Sequence, residues 1–210
     1  MTPTLDELCD DVLSRAETSR RFVIGIAGPP GAGKSTLAEA LVARLLDRGE
    51  TAAVLPMDGF HMDNAVLEEK GRLARKGAPD TFDLRAFIDI LKAVRGGEEE
   101  VLSPVFDRLR ELAIASARVI SADTRFVVVE GNYLLLDEGR WKDVRAFLDF
   151  AVLLSPPFEE LERRLLDRWH FYGLAGEALD RKMNGNDLPN VRLVLSKSAG
   201  ADVILPDWHA

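Results

Sequence analysis

The chain has 210 residues, 47% of them hydrophobic, a net charge of −8 and a single cysteine, Cys9. That length and apolar fraction suit one α/β domain with a full core. The acidic balance excludes a general nucleic-acid surface, which needs clustered cations. One cysteine excludes an internal disulfide and a thiolate-rich metal centre, and fits a reducing compartment.

Residues 1–7 are acidic and lack the apolar stretch of a signal peptide, and no charge-free segment reaches membrane-spanning length. The expectation is therefore a soluble cytoplasmic protein with no membrane partner. Leu5, Leu8, Cys9, Val12, Leu13 and Ala16 fall on one helical face. An apolar run, 22–27, reads as a buried strand. It leads into Gly28-Pro29-Pro30-Gly31-Ala32-Gly33-Lys34-Ser35, which satisfies G-x-x-x-x-G-K-[ST] at every fixed position. From Thr36 onward Leu37, Leu41 and Leu45 recur at four-residue intervals, a helix stripe ending near Gly49. Strand, glycine-rich loop and helix in that order aim backbone N–H groups and a helix N-terminus at one spot, where a polyphosphate fits. Lys34 is then expected to reach the β/γ-phosphates, and the Ser35 hydroxyl to hold magnesium.

A second strand spans 51–55, and Pro56 marks it as an edge strand or one leaving the sheet. Residues 59–81 are polar and weakly periodic, too long for an idle connection and suited to a lid or binding loop. A helix follows with Leu84, Phe87, Ile88 and Leu91 on one face, Thr81 or Asp83 as N-cap and Gly96-Gly97 as its stop. Glu98-Glu99-Glu100 reads as a solvated loop, and 101–106 and 118–120 as strand pieces pairing outside the main sheet. Strands at 126–129 and 150–154 end in Glu130-Gly131 and Ser155-Pro156-Pro157. Leu161, Leu165 and Trp169 line a helix, and a further helix through Leu193 leads to a last strand at 201–205. Apolar strands alternating with helices predict a parallel sheet covered on both faces, with no linker dividing 1–210.

In such a sheet, ligands collect beyond the carboxyl ends of the strands. There Asp58 is placed to accept a proton from an attacking hydroxyl, and Glu130 to hold the magnesium water shell. Transition-state charge calls for further cations, and Arg163, Arg164 and Arg168 are the candidates, although Glu160 and Arg164 could form a mere surface pair. His61 and His170 lie near these elements without metal-ligand spacing. A nucleotide-gated switch is the rival class. It lacks the guanine-reading N-K-x-D, since Asn184-Gly185-Asn186-Asp187 has no lysine.

Four further stretches occur together: Met57-Asp58-Gly59-Phe60-His61, Gly77-Ala78-Pro79-Asp80-Thr81-Phe82-Asp83, Ser103-Pro104-Val105-Phe106-Asp107 and Val129-Glu130-Gly131-Asn132-Tyr133. With the phosphate loop they resemble the phosphoribulokinase/uridine kinase family, to which pantothenate kinases belong, over roughly 20–205. The resemblance implies a P-loop NTPase fold, a nucleoside-monophosphate-kinase-like five-stranded parallel sheet with helices on both faces. It implies ATP and Mg²⁺ as cofactors and phosphorylation of a small-molecule hydroxyl. Asp58 matches the base, Asp80 a substrate-binding acid and Glu130 the Walker-B-type acid. His61, Phe106, Asp107, Arg108, Asn132 and Tyr133 join Asp80 on the acceptor side. An acceptor-binding insert is expected over 59–120 and a lid over 160–190. Uridine kinases carry a pyrimidine-reading histidine where this chain has Arg108-Leu109-Arg110-Glu111. The overall look is to compact bacterial kinases associated with fructose transport, so the acceptor implied is a sugar such as fructose, with nucleoside or pantothenate as alternatives. Family members are often dimers, which leaves a homodimer open.

Overall fold

The computed structural model describes residues 2–97 and 99–208. Of the acidic triplet after the fourth helix, Glu98 lies outside the described residues.

Helix α1 (Leu5–Arg15) starts on a capping box, in which Thr4 accepts from the Glu7 amide and the Glu7 carboxylate accepts from the Thr4 amide. β1 (Phe22–Ala27) then passes through the phosphate loop into α2 (Lys34–Asp47). β2 (Ala52–Pro56) runs directly into a 3₁₀ turn, Met57–Phe60. The polar stretch beyond is more ordered than its weak periodicity predicts. It holds α3 (Asn64–Glu69), capped by Asp63, and two further 3₁₀ turns.

α4 (Leu84–Gly96) is capped by Asp83 and closed by Gly97. β3 (Val101–Asp107) and β4 (Leu112–Ile120) pair antiparallel as a separate hairpin, with β4 longer than its sequence suggested. After β5 (Phe126–Gly131), a 3₁₀ segment Gly139–Phe147 leads to β6 (Phe150–Leu154) and α5 (Phe158–Phe171). The helix expected through Leu193 is split: α6 (Gly176–Lys182), a π turn Met183–Asp187, and α7 (Leu188–Lys197). β7 (Val203–Leu205) completes the sheet.

The main sheet is five-stranded, parallel throughout, in the order β2-β5-β1-β6-β7. β2 is the edge strand that Pro56 foretold. Side-chain alternation divides the apolar strands between two cores. On one face Ile24, Ile26, Phe126, Val128 and Phe150 pack with α1, α2, α5 and α7. On the other Val23, Val127, Val129 and Ala151 meet α4 and the Trp141–Val144 turn. The hairpin is a sheet of its own, anchored at its base by Val101 and Ile120 in the second core, and it is joined to the Asp58 turn by a close backbone approach. A Cβ on Gly59 would collide with the Pro104 carbonyl, so only glycine lets the turn and β3 touch. Gly59→Ala is expected to destabilise the protein by about 1–3 kcal/mol through overpacking, read as a lower urea midpoint. An unchanged midpoint would show that the turn and hairpin are not in contact.

Candidate active site

Strand register builds the site. Ile26 is opposite Glu130 and Ala27 opposite Gly131 on one side of β5, and Pro56 is opposite Glu130 on the other. Glu130, at the tip of a central strand, therefore stands between the phosphate loop and the turn carrying Asp58.

The phosphate loop ends at Gly33, whose φ of +89° suits a residue without a Cβ. Unlike α1, helix α2 has neither a side-chain cap nor an acidic residue in its first turn. Its orphan N–H groups and the positive end of its dipole stay available to an anion. Lys34 is buried, and its ammonium donates to the Pro29 carbonyl at 3.0 Å. Burial holds Lys34 below its usual pKa, opposed by the charges of Glu130 and Asp58. Burial, then the charge of Asp58, pushes the Glu130 carboxyl up to about 7, against the attraction of Lys34 and a hydrogen bond with Ser35.

Asp58 sits in the 3₁₀ turn, and its Oδ2 lies 2.7 Å from Nη2 of Arg108 at the hairpin tip. His61 follows, its ring packed between Phe82 and Phe106 at 4.1 and 4.7 Å and its Nδ1 2.8 Å from the Asp58 carbonyl. Burial lowers the His61 pKa, so the neutral ring can donate to that carbonyl and leave Nε2 as an acceptor. Lys76 Nζ lies over the Phe106 ring at 4.8 Å and donates to Asn64 and Glu111.

From the opposite side α5 contributes Arg164 and Arg168. Arg164 is paired with Glu160 at 2.6 Å and Asp207 at 2.9 Å, and Nη1 is 3.5 Å from the Gly31 carbonyl. The Glu160 pair is thus real without removing Arg164 from the site. Arg168 lies against Trp169, whose indole N–H donates to Asp187 at 2.6 Å. The π turn ties this helix to the acceptor segment: Asn186 donates to the Lys76 carbonyl, and Asn190 donates to Asn186.

These groups enclose one cleft of about 560 Å³. Of the residues singled out from sequence, Pro30, Gly31, Gly33, Lys34, Ser35 and Thr36 line its phosphate end. Asp58, His61, Phe106, Arg108, Glu130 and Asn132 line its centre, and Arg164 and Arg168 its lid side. Gly28, Pro29 and Ala32 form the backing of the loop: Ala32 is buried and Gly28 packs on Leu154.

Three expected acceptor residues lie elsewhere. Asp80 is half-exposed and pairs with Arg72 at 3.3 Å. Asp107 turns back to accept from the amides of Leu109 and Arg110, capping its own turn. Tyr133 is wholly buried against Phe82 and Trp141, its hydroxyl donating to the Gly77 carbonyl. Arg163 points outward, paired with Glu160 and Asp167. Conversely, Asn64, Lys76, Glu111, Asn186, Asp187 and Asn190 line the cleft without having been singled out there. The one available signal was Asn186 and Asn190, polar residues four positions apart among the apolar Met183, Leu188, Val191 and Val194.

The donors suit magnesium and a triphosphate: hard oxygens on Ser35, Glu130 and Asp58, a buried ammonium, and an uncapped helix start. In the nucleotide- and metal-free protein, the buried Glu130 yields a pH effect. Between about pH 4.5 and 7 the folded state keeps a proton that the unfolded chain has released, so stability falls as pH rises through that window. Thermal melts in chelator should show this slope, and Glu130→Gln should flatten it. Identical slopes in both proteins would contradict the placement of Glu130.

A family model for the methylmalonyl-CoA mutase-associated GTPase MeaB matches residues 3–92, less than half of the chain and ending well before Asn184–Asp187. The uncharacterized protein YggC of Escherichia coli is 34% identical, covering 92% of this chain and 81% of its own length. A Schizosaccharomyces pombe protein provisionally named a uridine kinase is 30% identical over 95% of this chain and 89% of its own. A Leifsonia xyli pantothenate kinase is 33% identical over 73% of this chain, which spans about half (49%) of that enzyme. The crystal structure of a protein from Silicibacter sp. TM1040, provisionally described as a fructose transport system kinase, superposes with a TM-score of 0.92 at 42% identity, covering 97% of this chain and all of that one.

Proposed function

We propose that this chain, which belongs to the phosphoribulokinase/uridine kinase family of P-loop kinases, phosphorylates a hydroxyl of a small polyhydroxylated metabolite, a sugar such as fructose, from ATP. The family supplies the reaction class, a small-molecule kinase. The observation that carries the finer reading is the meeting of Asp58, Lys34, Ser35 and Glu130 in a single cleft.

In this reading the loop of 28–36 and the start of α2 hold the triphosphate, with Arg164 steadying it at Gly31. Ser35 and Glu130 would hold magnesium, which supplies neutralisation of phosphate charge. Asp58 takes the proton of the acceptor hydroxyl. The hydroxyl oxygen bonds to the γ-phosphorus as the bond from that phosphorus to ADP breaks. Lys34 and Arg168, which both line the cleft, would meet the charge that spreads over the transferred oxygens, the role expected of cations in a largely dissociative transfer.

The acceptor side favours hydroxyl recognition. The imidazole of His61 and the amides of Asn64 and Asn132 line the cleft, and each can both donate and accept. We assign 59–120 to acceptor binding and 160–190 to a lid. Among the described residues no helix is long and apolar enough to cross a membrane, and we place the enzyme in the cytoplasm, beside its ATP.

A nucleoside or pantothenate acceptor is the alternative that the S. pombe and L. xyli relatives raise. A guanine-nucleotide switch, the class that the MeaB match raises, is not favoured by the geometry. Asp187 is engaged by Trp169 and Asn186 by Lys76, so neither is presented to a base.

Asp58→Asn should lower kcat by roughly 10²–10⁴-fold while ATP affinity, measured by calorimetry, stays within about twofold. Unchanged turnover would remove Asp58 from the role of base.

A further inference from the structure

The acceptor half of the cleft holds more positive charge than a neutral sugar needs. Lys34, Arg164 and Arg168 lie along the phosphate loop and suffice for a triphosphate. Of the other cleft cations, Lys182 lies over Trp169 and beside Asp187, which leaves Lys76 and Arg108, held at Glu111 and Asp58 respectively.

Lys76 is only 11% exposed in its side chain, held by Asn64 Oδ1 at 2.7 Å, the Glu111 carbonyl at 2.9 Å and Glu111 Oε2 at 3.2 Å. Burying an ammonium carries a desolvation penalty. Reading hydroxyls alone does not require it, since amides do that without a charge. Arg108 is half-exposed, and among the described residues its ion-pair partner is Asp58. The guanidinium therefore lies on the carboxylate that an incoming hydroxyl must reach. A neutral acceptor has nothing with which to draw it away, whereas an anionic group offers the bidentate partner that a guanidinium prefers.

We propose that the acceptor carries a carboxylate or phosphate group as well as hydroxyls, that Arg108 and Lys76 bind that group, and that Arg108 leaves Asp58 as it does so. The inference rests on the kinase reading above and narrows its substrate class. Arg108 thereby becomes a specificity gate: the base is uncovered when the correct charge is seated. The same exchange keeps Asp58 covered toward water, which limits idle ATP hydrolysis.

The test is steady-state kinetics with matched neutral and anionic acceptors: fructose against fructose 6-phosphate, and glucose against gluconate and glucose 6-phosphate. The wild type, Arg108→Gln and Lys76→Gln would be compared. In the wild type, an anionic member should exceed its neutral counterpart in kcat/KM by roughly 10²-fold, the scale of losing one partner of a desolvated charge pair. The phosphate and carboxylate arms tell which anion is read. Arg108→Gln should reverse the order, lowering kcat/KM for the anionic acceptor and raising kcat for the neutral one, with ATP affinity unchanged. Lys76→Gln should raise KM for the anionic acceptor alone.

A merely structural arginine would depress both acceptors together, so loss on both sides overturns the gate. Equal use of neutral and anionic acceptors by the wild type overturns the inference while leaving the kinase reading intact. ATP binding without phosphorylation of any member would instead remove the sugar reading beneath it.

Discussion

Everything at the site depends on the register of one strand. β5 lies between β1 and β2, and Glu130 at its tip faces Ile26 on one neighbour and Pro56 on the other. A slip of one residue would turn Glu130 to the opposite face, because successive side chains alternate across a sheet. The register is held by the cores on both faces: Phe126 and Val128 cannot exchange places with Val127 and Val129 without emptying two apolar clusters at once. Hydrophobic packing thus places a carboxylate between the loop that cradles phosphate and the turn that carries Asp58.

Around that carboxylate the protein arranges charges that are incomplete by themselves. Lys34 and Glu130 are both buried, each pulled toward its neutral form by burial and toward its charged form by the other. Helix α2 begins without the side-chain cap and first-turn acids that close α1. An anion with its metal would supply what is missing, so that a site in a protein of net charge −8 could attract a triphosphate. The hairpin tip completes the cleft from outside the sheet, tied to it through the Gly59–Pro104 approach and the Arg108–Asp58 pair.

Much of this is legible in the sequence where the chemistry is local. The phosphate loop is contiguous, and its glycines, lysine and serine are read directly from the chain. Pro56 marked β2 as an edge strand, and apolar runs marked the buried strands. Side chains made neighbours by tertiary folding were harder to see. Lys76, Asn186 and Asn190 meet only because a π turn, invisible to 3.6-residue periodicity, brings α7 against the 3₁₀ segment at Leu73–Arg75. The recurring stretches that carry the resemblance include residues whose place here is structural. Asp107 caps its turn and Tyr133 fills the core, so a motif pointed to the right region without saying which of its side chains face the cleft.

The account turns on whether the phosphoryl group leaves ATP for a small hydroxylated molecule. Incubating the protein with γ-labelled ATP·Mg²⁺ and a pool of polar metabolites, then identifying labelled products by mass, measures this directly. The account predicts label in a phosphorylated polyhydroxylated metabolite, absent when Lys34 is replaced. Label found only in inorganic phosphate, with no metabolite modified, would contradict it.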